Sequence, residues 1–195
     1  MVKQLEDRRI RRTKKILKES LLELMKKKKI KDITIKDITD AADLNRGTFY
    51  LHYADIYDLL DQIENEIIQD IFEMVTEFNT HSENKSTYEL LLQLFGYIYE
   101  NKTLFIILMS NKNDNTLMDK VQTFIKTMGL ETVKMMYHDS PTDYQTFTLA
   151  FVSSGILGVT EHWFERGMDL PPETMAQLVD QIISNGATLL LNSVE

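Results

Sequence analysis

Apolar residues recur at intervals of three and four along most of the chain, and no segment keeps a strand-like alternation. The pattern predicts an all-α fold of about nine helices. The first covers residues 8–28, with Ile10, Leu17, Leu21 and Leu24 on one face. Thr34 reads as the N-cap of a second helix, with Asp37 three residues on in a capping-box position. Ile38, Ala41 and Ala42 should point inward. Asp43-Leu44 forms a turn, and Asn45 caps a short third helix. Asp55 caps a fourth helix with Asp58 in its first turn. Ile56, Leu60, Ile63, Ile67, Ile71, Met74 and Phe78 follow at helical spacing and make it long.

Polar loops are expected at residues 79–87 and 110–115, with helices at 88–100 and 103–109 around them and another at 116–137. Ser140-Pro141 reads as an N-cap followed by Pro at the first helical position. That helix should run to Arg166 and stop at Gly167. Leu170-Pro171-Pro172-Glu173 restarts the chain into a last helix ending near Leu191. No internal repeat interrupts the plan. The natural division places a head at residues 1–53 and a body at 54–195.

Charge sharpens that division. Residues 1–60 hold 15 Lys and Arg against 10 Asp and Glu; residues 61–195 hold 7 against 20, so +5 and −13 make up the net −8. A basic head would favour nucleic acid, and an acidic body would keep it off the wrong surface. Arg8, Arg9, Arg11, Arg12, Lys14, Lys15 and Lys18 crowd the first helix. The Lys26–Lys29 tract either closes that helix against its dipole or touches phosphate. The chain has no cysteine, which excludes disulfide, thiol and cysteine-zinc chemistry. There is no run of about 18 apolar residues and no signal-peptide pattern at the N-terminus, so a cytoplasmic protein without a membrane span is expected.

Residues 33–53, ITIKDITDAADLNRGTFYLHY, are the most informative stretch. Two short helices around a tight turn form a helix-turn-helix, whose second helix enters the major groove by its N-terminal residues. Those residues are Asn45, Arg46, Gly47 and Thr48. Arg46 has the reach and fork to bond guanine O6 and N7 together. Gly47 permits close approach to bases, and Thr48 offers a methyl to thymine or a hydroxyl to phosphate. Phe49 and Tyr53 fit a core role; Tyr50 fits either a core or a DNA-facing role, and His52 either an ordinary surface position or a DNA-facing one.

With these residues, LNRGTFYLHY after ITIKDITDAAD, the chain resembles the tetracycline-repressor (TetR/AcrR) family of bacterial regulators. The resemblance covers residues 12 to 60 and includes Ile16-Leu17, Thr34, Ile38, Ala42, Gly47-Thr48-Phe49-Tyr50, His52 and Leu59-Leu60. It implies that Thr34, Lys36, Tyr50 and His52 contact DNA, and that the body holds an inducer and dimerises. Two positions depart from the family. Asp43 stands where Gly is common, a tolerable change because Asp enters the left-handed region more readily than most residues. Ile56 stands where a phosphate-binding Lys is common, which leaves only the positive helix end to help there.

A double-stranded operator read by two heads requires a two-fold homodimer. Ser154, Gly155 and Gly158 permit close helix approach, and Met175, Leu178, Ile182, Gly186 and Leu189 supply the matching face of the last helix. The alternative is that Gly155 and Gly158 line a contact within one chain or kink the helix. Met74, Tyr97, Phe105, Met109, Met118, Phe124 and Met128 are either ordinary core or the lining of a pocket for a small apolar or aromatic ligand. The expected function is a ligand-responsive repressor. The alternative is a co-activator or adaptor whose body binds a protein partner. No enzyme signature is present; Glu161, His162 and Glu165 could present metal ligands on one helix face but read better as an ordinary exposed surface, and neither metal nor cofactor is expected.

Overall fold

The computed structural model describes residues 8–80, 86–109, 116–137 and 142–191, with the side chains of 79–80, 116, 135–137 and 186–191 left aside. Among them are nine α-helices, one 3-10 turn (Ile30–Asp32) and no strand. The helices are α1 Arg8–Met25, α2 Ile35–Ala41, α3 Arg46–Tyr50, α4 Ile56–Thr80 and α5 Thr87–Glu100. The remaining four are α6 Lys102–Met109, α7 Thr116–Tyr137, α8 Asp143–Glu165 and α9 Pro172–Leu191. The chain forms two compact units: a head that runs through Ile67, and a body from Ile68 that holds α5 to α9. Helix α4 contributes to both.

The head is built around Leu17 and Leu21 of α1, Ile38 of α2, Phe49 of α3 and Leu59 of α4, all at 0% exposure. α1 stops at Met25, three residues before the expected end. Met25, Ile30 and Ile33 are all buried. A straight helix would carry Ile30 about 140° round from Met25, off the core face. The backbone turns instead through Ile30–Asp32. In α2 the expected inward residue Ala41 is exposed, and Thr39 is buried in its place. The buried arc is centred on Ile38, Thr39 and Ala42, and Ala41 falls outside it. Thr39 tolerates burial because its hydroxyl donates to the Ile35 carbonyl at 2.9 Å.

Thr34 caps α2 in a full capping box. Its Oγ1 accepts from the Asp37 backbone N–H (3.1 Å), while Asp37 Oδ2 accepts from the Thr34 N–H (2.8 Å). Lys28 Nζ adds a bond to the same carboxylate at 2.9 Å. The Lys28 hydrogen bond, then the two from Thr34, hold the Asp37 carboxyl down to about 2. α2 ends in a Schellman turn. Asp43 is left-handed at φ 52°, the Leu44 N–H reaches the Thr39 carbonyl at 2.9 Å, and the Asp43 N–H reaches the Asp40 carbonyl at 3.4 Å.

In the body, α5 packs on α9, and α8 packs on α7 and α9. Residues 140–141, expected to open α8, lie outside the described residues; Thr142 is the N-cap, in a capping box with Gln145. α8 stops as its sequence predicts. Gly167 is left-handed at φ 71°, and the Met168 N–H reaches back to the Trp163 carbonyl at 2.8 Å. Trp163 Nε1 donates to the Leu170 carbonyl at 3.0 Å, fixing the connection into α9.

Two measurements test the head. Asp43→Gly relieves a left-handed non-glycine residue and should raise unfolding free energy by about 0.5–1 kcal/mol in urea titration. No gain would show that the Asp side chain supports the turn. The Asp37 carboxyl, lowered in the folded state, stabilises fully above its unfolded pKa of about 4 and loses that contribution as pH falls toward about 2. Lys28→Ala should return its NMR titration toward the ordinary carboxylate range.

Candidate nucleic-acid interface

The five residues of α3 cannot hold a helix by themselves, since isolated helices that short are unstable in water. Local devices hold it. Asn45 Oδ1 accepts the Thr48 backbone N–H at 2.9 Å and the Thr48 hydroxyl at 3.1 Å. Phe49 is fully buried and meets the Tyr50 ring edge-on at 5.8 Å between centroids. Tyr53 is 2% exposed and packs on Phe49 at 5.7 Å.

These bonds divide the expected DNA-facing residues by role. Thr34 and Asn45 are caps whose side-chain oxygens are already engaged. Thr48 directs its hydroxyl at Asn45, which leaves its methyl as the group to offer a base. Gly47 has a reason inside the head: a Cβ there would sit 3.2 Å from Asn45 Oδ1 and press on the cap. Arg46 and Lys36 are exposed, and their side chains make no hydrogen bond or ion pair among the described residues. Tyr50 is 59% exposed, so it belongs to the surface. His52 is half-buried with its ring 6.3 Å from that of Tyr53.

The start of α4 does not offer the free positive helix end anticipated above. Asp55 Oδ1 accepts the Asp58 N–H at 2.9 Å, and Asp58 Oδ2 accepts the Ala54 N–H at 2.8 Å. Two carboxylates occupy the place where a phosphate would gain from the helix dipole. The basic tract is partly committed too: Lys26 pairs with Glu23, Lys28 with Asp37, and Lys18 of α1 with Glu66 of α4. Lys27 and Lys29 remain exposed, as do Arg8, Arg11 and Arg12 at the start of α1.

The body contains a cavity of about 420 Å³ among α4 to α9. Phe105, Met109, Met118, Phe124 and Met128 line it. Met74 and Tyr97 do not; Tyr97 directs its hydroxyl to Asp70 at 2.8 Å and its ring edge to Phe105. Other wall residues, among them Ile71, Leu94 and Leu149, escaped sequence reasoning because an aliphatic core residue and a wall residue look alike.

Along α8 an apolar stripe faces outward. Phe147 and Phe151 are 77% and 72% exposed, and Ser154 and Gly158 continue the same face. The two phenylalanines were missed, although their spacing from Ser154 and Gly158 was readable. Gly155 is an intrachain contact, since a Cβ there would lie 3.9 Å from Ile182 Cγ2; Gly158 faces open space. Of the expected α9 face, Leu178 is 40% exposed. Met175 is 1% exposed and buried within its own chain, so it has no side chain to offer a second copy. The residue lies on the inner side of α9, one position from the fully buried Ala176. Gly186 and Leu189 lie where side chains are not described.

The fold and the exposed α3 end define an all-α helix-turn-helix regulator. The family model described as "Transcriptional regulator C-terminal region" (TetR_C_8) matches residues 85–185, just over half of the chain. The chain belongs to the TetR family of DNA-binding transcription regulators. It is 23% identical over 173 residues to an uncharacterized HTH-type transcriptional regulator, YxbF, of Bacillus subtilis (strain 168). That alignment covers 86% of this chain and 44% of the relative, so the chain spans less than half of that protein's length. A TetR transcriptional regulator from Streptococcus agalactiae 2603V superposes with a TM-score of 0.67 at 18% identity, covering 91% of this chain and 96% of that one. The dihydroxyacetone kinase operon activator DhaS superposes at 0.58 with 20% identity, covering 92% and 97%. At these identities the likeness is one of fold.

Arg46→Ala should weaken binding to the cognate site by about 10- to 100-fold per head and leave random DNA nearly unaffected in gel-shift titration. Equal loss on both DNAs would remove Arg46 from base reading. Lys36→Ala should reduce the salt slope of binding by about 0.9 for each head bound. An unchanged slope would place Lys36 off the phosphates.

Proposed function

We propose that the protein is a homodimeric operator-binding repressor released by a small molecule held in its body. The observation that carries this reading is the free, exposed Arg46 at the capped start of α3, with Lys36 and Tyr50 also exposed. A side chain with no structural partner at a helix end suited to the major groove has recognition as its natural use. Phosphate contacts by Lys36, Tyr50 and His52, and by the Thr34 cap region, would set register. Arg46 and the Thr48 methyl would choose sequence.

Dimerisation is supported by the α8 stripe. Two copies of α8 running antiparallel and crossing between the levels of Ser154 and Gly155 would set Phe151 against Gly158 of the partner subunit, where a side chain finds open space. The same contact then repeats on the other side of the two-fold axis, as an isologous interface requires. Leu178 would border it. The cavity supports the ligand response: occupancy that favours one arrangement of the body shifts the population competent to bind DNA. α4, which belongs to both units, is the element through which such a shift would pass.

Selection of bound sequences from a random DNA pool should return a palindrome with half-sites separated by whole helical turns. A single, non-repeated site would contradict the two-headed reading. Phe151→Asp should convert a sedimenting dimer into a monomer at micromolar concentration and weaken operator binding at least tenfold; a dimer unchanged by this substitution would move the interface elsewhere.

A further inference from the structure

On the reading that the body takes a small molecule, we propose that this ligand is uncharged and largely hydrocarbon, bound without an ion pair and without a hydrogen bond donated by the wall. The described wall of the cavity holds no charged side chain. Phe105, Phe124, Phe164, Met118, Met128 and Leu149 represent its chemistry.

Its polar side chains are Thr132, Ser153 and Thr160. Each directs its hydroxyl hydrogen to its own helix. Thr132 donates to the Met128 carbonyl at 2.8 Å, Ser153 to the Ala150 carbonyl at 3.1 Å, and Thr160 to the Ile156 carbonyl at 2.8 Å. All three donors are therefore committed to backbone, and only hydroxyl lone pairs face a guest. A carboxylate would give up water and gain neither a cation nor a donor, and an ammonium group would find no carboxylate. A neutral hydroxyl can still donate to one of these oxygens.

Size narrows the class further. A dry apolar cavity of about 150 Å³ takes one benzene. The cavity here, about 420 Å³, suits a fused two- or three-ring hydrocarbon or a chain of about ten carbons. At Gly129 a Cβ would lie 2.8 Å from Leu149 Cδ2, so α7 and α8 already meet there and the wall has no slack for a larger group on that side.

The test uses the full chain and N-phenyl-1-naphthylamine, a neutral apolar dye of three rings, displaced at pH 8 by 1-decanol, decanoate or decyltrimethylammonium. Half-displacement by decanol should occur at a concentration at least about tenfold below that for either ion. Equal or tighter displacement by an ion overturns the proposal, as does failure of the dye to bind. Met128→Trp narrows the cavity and should abolish dye binding while the helical circular dichroism is retained; retained binding in that folded variant puts the site elsewhere and also overturns it. Operator affinity measured with and without saturating decanol is a separate arm. Unchanged DNA affinity with tight decanol binding would sink the ligand-response reading and leave the ligand class standing.

Discussion

The left-handed backbone at Asp43 is the constraint on which the head depends. α2 and α3 are seven and five residues long, too short to persist alone. Their relation is set by the Schellman bonds from Leu44 and Asp43 back into α2, and then by the Asn45 cap two residues later. Once that turn is made, Ile38 and Phe49 both reach the core, and Arg46 is left on the outside. An aspartate in this conformation is strained relative to glycine, and the burial of Ile38 and Phe49 on either side holds it there.

Charge within the head is more committed than its net sign suggests. Several lysines serve the structure: Lys28 with Asp37, Lys18 with Glu66, Lys26 with Glu23. The start of α4, where this family often places a cation, carries Asp55 and Asp58 folded onto its own N–H groups. On the proposed DNA-binding reading, attraction to phosphate would then come from α1, from Lys36 and from the α3 side. The body carries the opposite charge, 20 Asp and Glu against 7 Lys and Arg over residues 61–195.

Much of this was legible in the sequence because caps and turns have local causes. Thr34 with Asp37, Asn45, Asp43 and Gly167 each act over three or four residues, and the chain states those residues directly. Features set by distant packing were not legible. Whether α1 continues past Met25 depends on where Ile30 and Ile33 find the core. Whether Ala41 or Thr39 turns inward depends on the arc that α1 covers. Met175 and Leu178 look equivalent in sequence, yet only one faces outward. Tyr97 and Phe105 are near neighbours, but the bond from Tyr97 to Asp70 takes the former off the cavity wall. Sequence showed that methionines and aromatics were plentiful, but not which of them shared a wall.

The protein has one tryptophan, and its surroundings make it informative. Trp163 is 2% exposed, stacks near Phe164 at 6.0 Å and meets Phe95 edge-on at 5.5 Å. Phe95 and Phe164 both line the cavity, while the indole N–H anchors the turn into α9. The single indole thus stands between the cavity wall and the α8–α9 connection. Its emission maximum and lifetime register changes at that junction without any label, so the body carries its own optical gauge of the packing around α8.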